Sequence, residues 1–373
     1  MLFRCGIEHE VALLNAGNEF VDWTNTTFAE LEKIVAGLPL YPSDYPQLRI
    51  GDAGIKHKRW YVEGYERFDS KGQVIDCPPK GIEIRTTIHD SIEGAVQELM
   101  ESFRALQAAA GAAGFTPVCI SFNPHRTRFV PDPPLNAYEK KQRATSPEVS
   151  TADLPMLTQG PDISLSAEEL SPDEIIDAGA KLTYYSPYVV PFSFSSPFYC
   201  GELWEGLSVR TFRRTGRRPA AMVFLDDPGR MIASTPSLTQ EARIPAENGR
   251  IEFKAFDSCR DFRHYARLAT LLKGLILDRT LTGRAVIPDA QLHQKCARHG
   301  FDDPCIYDPA RQILAAATAA LEDPVDIQHL EPLQQMLEAR QTPAHAMIDA
   351  FRQSDSIEES LLLPAGDCAG NDL

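Results

Sequence analysis

The sequence lacks the short motifs that usually reveal a chain's chemistry. It has neither the GxxxxGK(S/T) phosphate loop nor the GxGxxG dinucleotide fingerprint, and it shows no internal repeat. The eight cysteines form no CxxC pair, and the spacing of Cys296, His299 and Cys305 fits no standard zinc site. We therefore interpret the cysteines as ordinary thiols, and no glycine-loop nucleotide fold is indicated.

Basic residues are in deficit, and long apolar runs are missing. The 373 residues include 52 acidic and 37 basic side chains, for a formal charge of −15. Because such a surface repels phosphate backbones, we predict no general nucleic-acid binding. No apolar run is long enough to cross a bilayer, and no basic segment followed by an apolar stretch opens the chain. We therefore expect no membrane span and a cytoplasmic location.

What the sequence does contain is a repeated acidic strand pattern. Three apolar, β-rich stretches each place a glutamate two positions from another charged residue, so both side chains share one face of the strand. The pairs are Glu8 with Glu10, Glu83 with Arg85, and Glu252 with Lys254. Like charges on an apolar strand resist burial, and a divalent cation would remove the repulsion. Three salt-bridged, solvent-facing strands are the alternative interpretation.

On one shared sheet, these strands would collect four carboxylates and two cations. Carboxylates prefer hard cations such as Mg²⁺, whereas Lys and Arg suit phosphate or a substrate carboxylate. This combination favours phosphoryl transfer from a metal-bound nucleotide.

Several further residues are candidates for the same site. His125 and Arg126 follow the predicted strand 115–122 and are placed like binding residues on a loop, although a surface histidine is an equally good interpretation. The pattern leaves open whether Asp52, Glu63 or Glu66 joins the acidic cluster. Glu63 and Glu66 are three residues apart, so at most one of them can do so in a regular strand.

The order of elements predicts an α+β fold in two parts. Residues 1–289 form the catalytic part, within which 132–174 is predicted to be a mostly irregular flap with GPDISLS as a short extended piece. Residues 290–373 form a helical segment packed on it, with a loose tail after about residue 356.

Four segments, taken in order, resemble the glutamate–cysteine ligase family 2. GIEHEVALL resembles the family's opening G-(I/V)-E-x-E strand, and KGIEIRTTIHDSIEGAVQEL its second acidic strand with the helix behind it. SFSSPFYCGELWEGLSVR resembles its small-residue turn followed by S-x-R, and RIEFKAFD its late E-(V/F)-R-x-x-D strand. Each motif alone is a weak signal, but their order and spacing over residues 1–285 are fairly specific.

The resemblance implies a glutamine-synthetase-like fold, an antiparallel sheet backed by helices. It also implies ATP-dependent activation of a carboxylate as an acyl phosphate, followed by attack of an amine. By position, the implied Mg²⁺ ligands are Glu8, Glu10, Glu83 and Glu252. The implied catalytic cations are Arg85, Arg210 and Lys254, and the expected nucleotide-binding residues are His125, Arg126 and Arg210. The expected partners are small molecules, namely ATP, glutamate and cysteine or another amine, and homo-oligomer formation stays open.

The chain departs from the family pattern at two places. Lys254 stands where the family usually has arginine, which removes bidentate geometry, and the turn is Ser195-Ser196-Pro197 rather than Asn-Ser-Pro. The main hypothesis is a glutamate–cysteine ligase-like enzyme. The alternatives are the same chemistry with a different amine and a non-catalytic protein that binds nucleotide or amino acid. Clustered like charge argues against the non-catalytic alternative.

Overall fold

The computed structural model describes residues 1–44, 48 and 59–362. Asp52, one of the acids left open by the sequence, lies outside the described residues.

Alternation of apolar and polar residues builds the strands. Within the first of them, Ile7 and Val11 are buried on one face, whereas Glu8 and Glu10 lie on the other and are only partly buried. The described strands are β1 (Phe3–Leu14), β2 (Trp60–Gly64), β3 (Arg67–Phe68), β4 (Val74–Asp76), β5 (Pro79–Arg85), β6 (Thr116–Val118), β7 (Pro161–Ala167), β8 (Phe198–Tyr199), β9 (Glu202–Leu203), β10 (Ala221–Leu225), β11 (Thr239–Glu241) and β12 (Ile251–Phe253).

Side-chain caps mark the starts of many helices. Thr27, Asn136 and Ser171 each form a capping box with a glutamate three residues later, which satisfies backbone N–H groups at the helix start. The described helices are α1 (Phe28–Gly37), α2 (Ile92–Ala112), α3 (Ala137–Arg143), α4 (Pro147–Ser150), α5 (Pro172–Val189), α6 (Val209–Arg214), α7 (Arg263–Leu277), α8 (Ala290–His299), α9 (Pro304–Ala320), α10 (Pro324–Glu338), α11 (Pro343–Ser354) and α12 (Ile357–Leu362).

The main sheet is mixed, not purely antiparallel as expected. Its strand order is β11-β10-β12-β7-β1-β5-β2, with β6 pairing the end of β1. The neighbouring strands are antiparallel except β10 and β11, which run parallel with Val223 opposite Thr239. A parallel pair needs a connection that carries the chain back to the starting end, and residues 226–238 supply it.

Helices cover one face of this sheet. Helix α2 packs on β1, α5 packs on β10 and β12, and α1 packs on β2. The layer between them is a single hydrophobic cluster that includes Ile84, Ile163 and Phe253. Each such side chain stabilises the fold by about 1.5–3 kcal/mol through burial. The opposite face of the sheet, which carries the acidic side chains, is left for the candidate site.

The segment 132–174 is more ordered than expected. It contains α3, α4 and β7, and β7 lies in the middle of the sheet between β1 and β12. The GPDISLS piece is therefore a central strand and not part of a flap. Its alternation places Ile163 and Leu165 in the core and Asp162 and Ser164 on the opposite face.

The C-terminal helices pack directly on the catalytic part. Helices α9 and α10 contact α7, and α8 contacts α5 and α6. Residues of both parts belong to the same hydrophobic cluster, and the division at residue 289 stays a prediction. Of the tail expected to be loose after about residue 356, Ile357–Leu362 is helical, with Ile357 and Leu361 buried, and the rest lies outside the described residues.

None of the helices within the described residues combines the length and the apolar character that a bilayer crossing requires.

Candidate active site

The strand register brings acidic side chains from several strands onto the open face of the sheet. Glu8 lies opposite both Arg85 of β5 and Asp162 of β7, and Glu10 lies opposite Glu83. Paired residues of neighbouring strands point to the same face, so these side chains converge.

The first acidic cluster, called triad A below, consists of Glu8, Asp162 and Glu252. Each contributes a carboxylate oxygen, and these oxygens all lie within 4.8 Å of one another. Lys254 Nζ pairs with Asp162 and lies 2.7 Å from Glu252 Oε2, and Arg250 Nη2 lies 3.3 Å from Glu252 Oε1. Two cations therefore offset part of the negative charge of triad A.

The second cluster, triad B, consists of Glu10, Glu63 and Glu83, again with ligand oxygens within 4.8 Å of one another. Lys80 Nζ pairs with Glu10. The backbone N–H of Gly160 donates to Glu10 Oε2 at 2.9 Å. Glu10 is therefore fixed by two donors, whereas Glu83 lies in the buried interior of the cluster.

The electrostatics of both triads disfavour full ionisation without a cation. Burial, together with the nearby charges of Glu63 and Glu8, raises the pKa of Glu83 well above its usual value. Burial is also the main reason that the pKa of Glu63 is raised to about 7 and that of Asp162 to about 6. Like charge and burial act in the same direction here, which is typical of functional carboxylates.

The donor set fits a hard divalent cation. Glu83 Oε1 is buried and accepts no hydrogen bond from any residue in the described part of the chain. A buried carboxylate oxygen without a donor is costly, and coordination to a cation would satisfy it. Mg²⁺ prefers carboxylate oxygens, so both triads are suitable ligand sets.

Two cavities meet at triad A, and triad B lines the second of them. A cavity of about 330 Å³, called cavity 1, is lined by Met222, Phe224 and Gln240. A second one of about 760 Å³, cavity 2, lies under the flap. Glu8 and Lys254 line both cavities, so a group passing between them would cross triad A.

Cavity 1 combines apolar and cationic walls. The Arg250 guanidinium carbon lies 4.0 Å from the centre of the Phe224 ring, and the Arg85 guanidinium carbon lies 4.7 Å from the centre of the Tyr61 ring. Stacked guanidinium groups combine an apolar contact with positive charge. Arg85 thus lies beside triad A, where the sequence predicted a catalytic cation.

Three arginines at four-residue spacing, Arg210, Arg214 and Arg218, line cavity 2. Arg210 is buried and donates to the carbonyl oxygens of Lys254 at 3.0 Å and Ala255 at 3.1 Å. Burial and the charges of Arg210 and Arg218 lower the pKa of Arg214 well below its usual value. An anion in cavity 2 would compensate this concentration of positive charge.

The flap forms the roof of cavity 2. Arg218 Nη1 donates to the carbonyl oxygen of Glu148 at 2.7 Å, and Lys80 Nζ donates to that of Pro155 at 2.8 Å. Glu139 of α3 accepts from Arg67 Nε at 2.7 Å. Residues that line cavity 2 thus also form the hydrogen bonds that hold the flap over it.

The structure brings together most of the residues predicted for the site. The four glutamates divide between the triads, Glu8 and Glu252 in triad A and Glu10 and Glu83 in triad B. Lys254 and Arg210 line cavity 2, but Lys254 is engaged by acidic side chains. The carboxylate that Arg210 approaches, at 3.8 Å, belongs to the buried Asp257 and not to a surface acid.

His125 and Arg126 are not part of this arrangement, although we expected them to bind the cofactor. His125 Nε2 lies 2.6 Å from Glu358 Oε1 of α12. Arg126 Nε donates to Asp22 Oδ2 at 3.0 Å. The loop after β6 turns toward the C-terminal helix, so neither residue lines cavity 1 or cavity 2.

Sequence reasoning missed Asp162 and Lys80 and left Glu63 undecided. Asp162 belongs to an alternating segment, DISLSA, which is a recognisable strand signal. No pattern in the sequence marks Lys80 as a site residue, because its contact with the acidic cluster depends on the neighbouring strand. Of the two hairpin acids, Glu63 joins triad B and Glu66 does not.

The fold is shared with known ligases. A bifunctional glutathione synthetase from Pasteurella multocida matches with a TM-score of 0.60 and 11% identity, over 96% of this chain and 51% of its own. A glutamate–cysteine ligase from Francisella tularensis in complex with AMP matches with a TM-score of 0.55 and 12% identity, over 97% and 87%. The ligase PafA, in complex with the ubiquitin-like protein Pup, matches with a TM-score of 0.50 and 12% identity, over 96% and 67%. At such identities the likeness shows the fold, and this chain spans about half the length of the first protein.

The sequence itself defines the family. The model of glutamate–cysteine ligase family 2 matches residues 4–361, so the chain belongs to that family. No curated protein sequence matches the chain significantly.

Proposed function

We propose that the protein is an ATP- and Mg²⁺-dependent ligase that joins the γ-carboxylate of glutamate to an amine. The reaction would pass through an acyl phosphate, and cysteine is the first amine to test. The observation that carries the proposal is the pair of carboxylate triads, triad A at the junction of two cavities and triad B in the wall of cavity 2.

The two cavities suit the two anionic substrates. Cavity 1 has apolar walls at Met222 and Phe224 for a base, with Arg250 and Arg85 nearby for phosphates. Cavity 2 is larger and carries the arginine row, which suits a dicarboxylic amino acid and its acceptor. The γ-phosphate of ATP would then point across triad A toward the substrate carboxylate.

The protein side chains have separable tasks. Triads A and B would hold Mg²⁺, whose bound charge would neutralise the negative charge that develops on the transferred phosphoryl group. Arg210 would orient an anion at the entrance to cavity 2. Lys254, held between Asp162 and Glu252, keeps triad A compact and presents its positive charge to both cavities.

The flap supports the covalent part of the proposal. An acyl phosphate hydrolyses in water, so the amine must attack in a closed cavity. The roof over cavity 2, held by Arg218 and Lys80, supplies such a cover. Clustered carboxylates and a covered cavity are unnecessary for a protein that only binds nucleotide.

The test is ADP release from ATP in the presence of Mg²⁺, with glutamate and a panel of amines that begins with cysteine. We expect ADP and a γ-glutamyl amide in equal amounts, both dependent on glutamate. Glu252→Gln should weaken nucleotide binding in the presence of Mg²⁺, because it keeps the shape and removes one charge. Absence of glutamate-dependent ADP with every amine in the panel would overturn the proposal.

A further inference from the structure

We propose that Gly160 and Asp257 are positioning residues that fix the guanidinium group of Arg210 from two sides. The expected effect on the reaction rate rests on the proposed function. The placement of the guanidinium group rests on the contacts of Arg210 with its neighbours.

Arg210 is held without a close carboxylate partner. Its Nη1 and Nη2 donate to the carbonyl oxygens of Ala255 and Lys254, and its Nε is buried without a hydrogen-bond partner among the described residues. The group is thus bound on one side and has an unused donor. A donor of this kind is suited to an anion that arrives with the substrate.

Asp257 organises the helix start that carries Arg210. This fully buried carboxylate accepts three hydrogen bonds at Oδ2, from the Ser195 backbone N–H at 3.0 Å, Ser196 Oγ at 2.8 Å and Ser208 Oγ at 2.9 Å. Ser208 is the N-cap of α6, and Arg210 is the second residue of that helix. The same carboxylate, through Oδ1, lies 3.8 Å from Arg210 Nη1.

The Ser196 hydroxyl extends this control to the backbone of Arg210. Its Oγ accepts from the Arg210 backbone N–H at 3.3 Å and donates to Asp257. Asp257 therefore acts on both ends of Arg210, its backbone through the two serines and its guanidinium through charge.

Gly160 limits the guanidinium group from the opposite side. A Cβ added at this position would lie 2.5 Å from Arg210 Nη2, 2.7 Å from Cζ and 2.9 Å from Nε. Side-chain carbons do not approach other heavy atoms that closely, so any other residue would displace the guanidinium. The absence of a side chain at Gly160 therefore leaves the room that the guanidinium occupies.

Gly160 also links Arg210 to triad B. Its N–H donates to Glu10 Oε2 at 2.9 Å. Alanine would keep this N–H while adding the methyl group, so Gly160→Ala moves Arg210 and leaves the bond to Glu10 available. Misplacement of a reacting group by about 1 Å can cost about 100-fold in rate.

The experiment compares Gly160→Ala and Asp257→Asn with two matched controls. Gly111→Ala adds a methyl group where nothing lies within 4 Å. Asp278→Asn changes an acid that pairs with Lys181 and does not touch Arg210. We expect kcat for glutamate-dependent ADP formation to fall by about 100-fold in the two positioning variants and by less than about threefold in the controls.

A double-mutant cycle separates positioning from general damage. In an Arg210→Gln background, Gly160→Ala should change kcat by less than about threefold, because the group that it displaces is absent. Equal losses in both backgrounds would overturn the inference, since the methyl group would then act elsewhere.

Crystal structures of the parent and Gly160→Ala proteins test the placement without any activity. We expect the Arg210 guanidinium to move by about 1 Å or more, as the added methyl group requires. A guanidinium that stays in place overturns the inference even if the enzyme is active. A parent protein without glutamate-dependent ADP formation overturns the proposed function and leaves this structural comparison intact.

Discussion

Glu83 is a carboxylate in surroundings that oppose its charge. It is buried in the sheet, lies close to Glu63 and Glu10, and has one oxygen without a donor in the described part of the chain. In the metal-free protein this group is a source of instability at neutral pH. A cation bound at triad B would offset this cost.

The first prediction concerns Glu83→Gln. Removing the charge should raise the free energy of unfolding of the metal-free protein at neutral pH, because burial and the neighbouring carboxylates raise the pKa of Glu83. The same change should reduce or abolish the stabilisation that added Mg²⁺ gives to the parent. Thermal unfolding with and without Mg²⁺ measures both effects. A variant that is less stable without metal and unchanged in its response to Mg²⁺ would show that triad B is structural.

The second prediction concerns pH. Burial raises the pKa of Asp162 to about 6 and that of Glu63 to about 7, above the values of unfolded carboxyl groups. A raised acid pKa contributes stability below the unfolded value, and this contribution is lost as the pH rises through the folded value. These two groups should therefore lower the free energy of unfolding of the metal-free protein as the pH rises from about 4 to about 7.

Magnesium binding should show the opposite trend. Protons compete for the same oxygens, so Mg²⁺ affinity should rise between about pH 5 and pH 8, with proton release on binding. Calorimetry in two buffers with different ionisation enthalpies measures the released protons. Affinity that does not change with pH would separate the raised pKa values from the metal site.

At the scale of single elements, the flap makes a buried and an exposed ion pair in addition to the hydrogen bonds from Arg218 and Lys80. Glu139 of α3 accepts from Arg67 Nε at 2.7 Å and from the backbone N–H of Phe68 at 3.0 Å, and it is buried. Arg217 pairs with Asp153 at 3.0 Å at the surface. Buried pairs are costly to break, whereas exposed pairs contribute about 0–1 kcal/mol.

The third prediction follows from that contrast. Glu139→Ala should loosen the flap and let water reach the acyl phosphate, so ADP would form in excess of the amide product. Arg217→Gln, the matched control, should leave the ratio of ADP to amide near that of the parent. Both products can be quantified in one reaction, together with hydrogen exchange over residues 132–160. Equal amounts of ADP and amide from the Glu139→Ala variant would show that the pair of Glu139 and Arg67 does not control closure of the flap.

At the scale of the whole molecule, the C-terminal helix α12 packs against the end of strand β1. Ile357 and Leu361 of α12 lie in a hydrophobic cluster with Ala12 and Leu14 from the end of β1. The last described element thus packs against the first strand, which β5, β6 and β7 have already joined earlier in the chain. This packing couples the C-terminal segment to the strand that carries Glu8 and Glu10.

The fourth prediction uses two adjacent leucines. Leu361 is 4% exposed and Leu362 is 41% exposed. Leu361→Ala should lower the free energy of unfolding by about 2–5 kcal/mol, because it leaves a cavity in the cluster. Leu362→Ala should change it by less than about 0.5 kcal/mol. Denaturant unfolding measures both, and equal small effects would show that α12 does not contribute to global stability.

Much of the fold and part of the site could be predicted from local pattern. The helix behind the second acidic strand follows from local pattern, because Ser91 caps its start and an apolar stripe that includes Val96 and Leu99 is buried. The extended piece predicted in GPDISLS is strand β7, but its assignment to the flap was wrong, because the Pro- and Ser-rich composition on either side gave no sign that it lies in the middle of the sheet. His125 and Arg126 follow a strand as predicted, yet the direction of the loop after it is set by packing against α12.

The sequence by itself determined which side chains share a face of one strand. Period-two alternation is a local property, so Glu8 and Glu10 point the same way wherever their strand lies. Only the tertiary structure decided which strands are neighbours. It placed Asp162 beside Glu8 and Glu63 beside Glu10, and so divided six carboxylates into two triads. It also placed the guanidinium group of Arg210 against Gly160. These relations join residues up to about 240 positions apart (Glu8 and Glu252), and sequence pattern has no physical means of recording contacts at that separation.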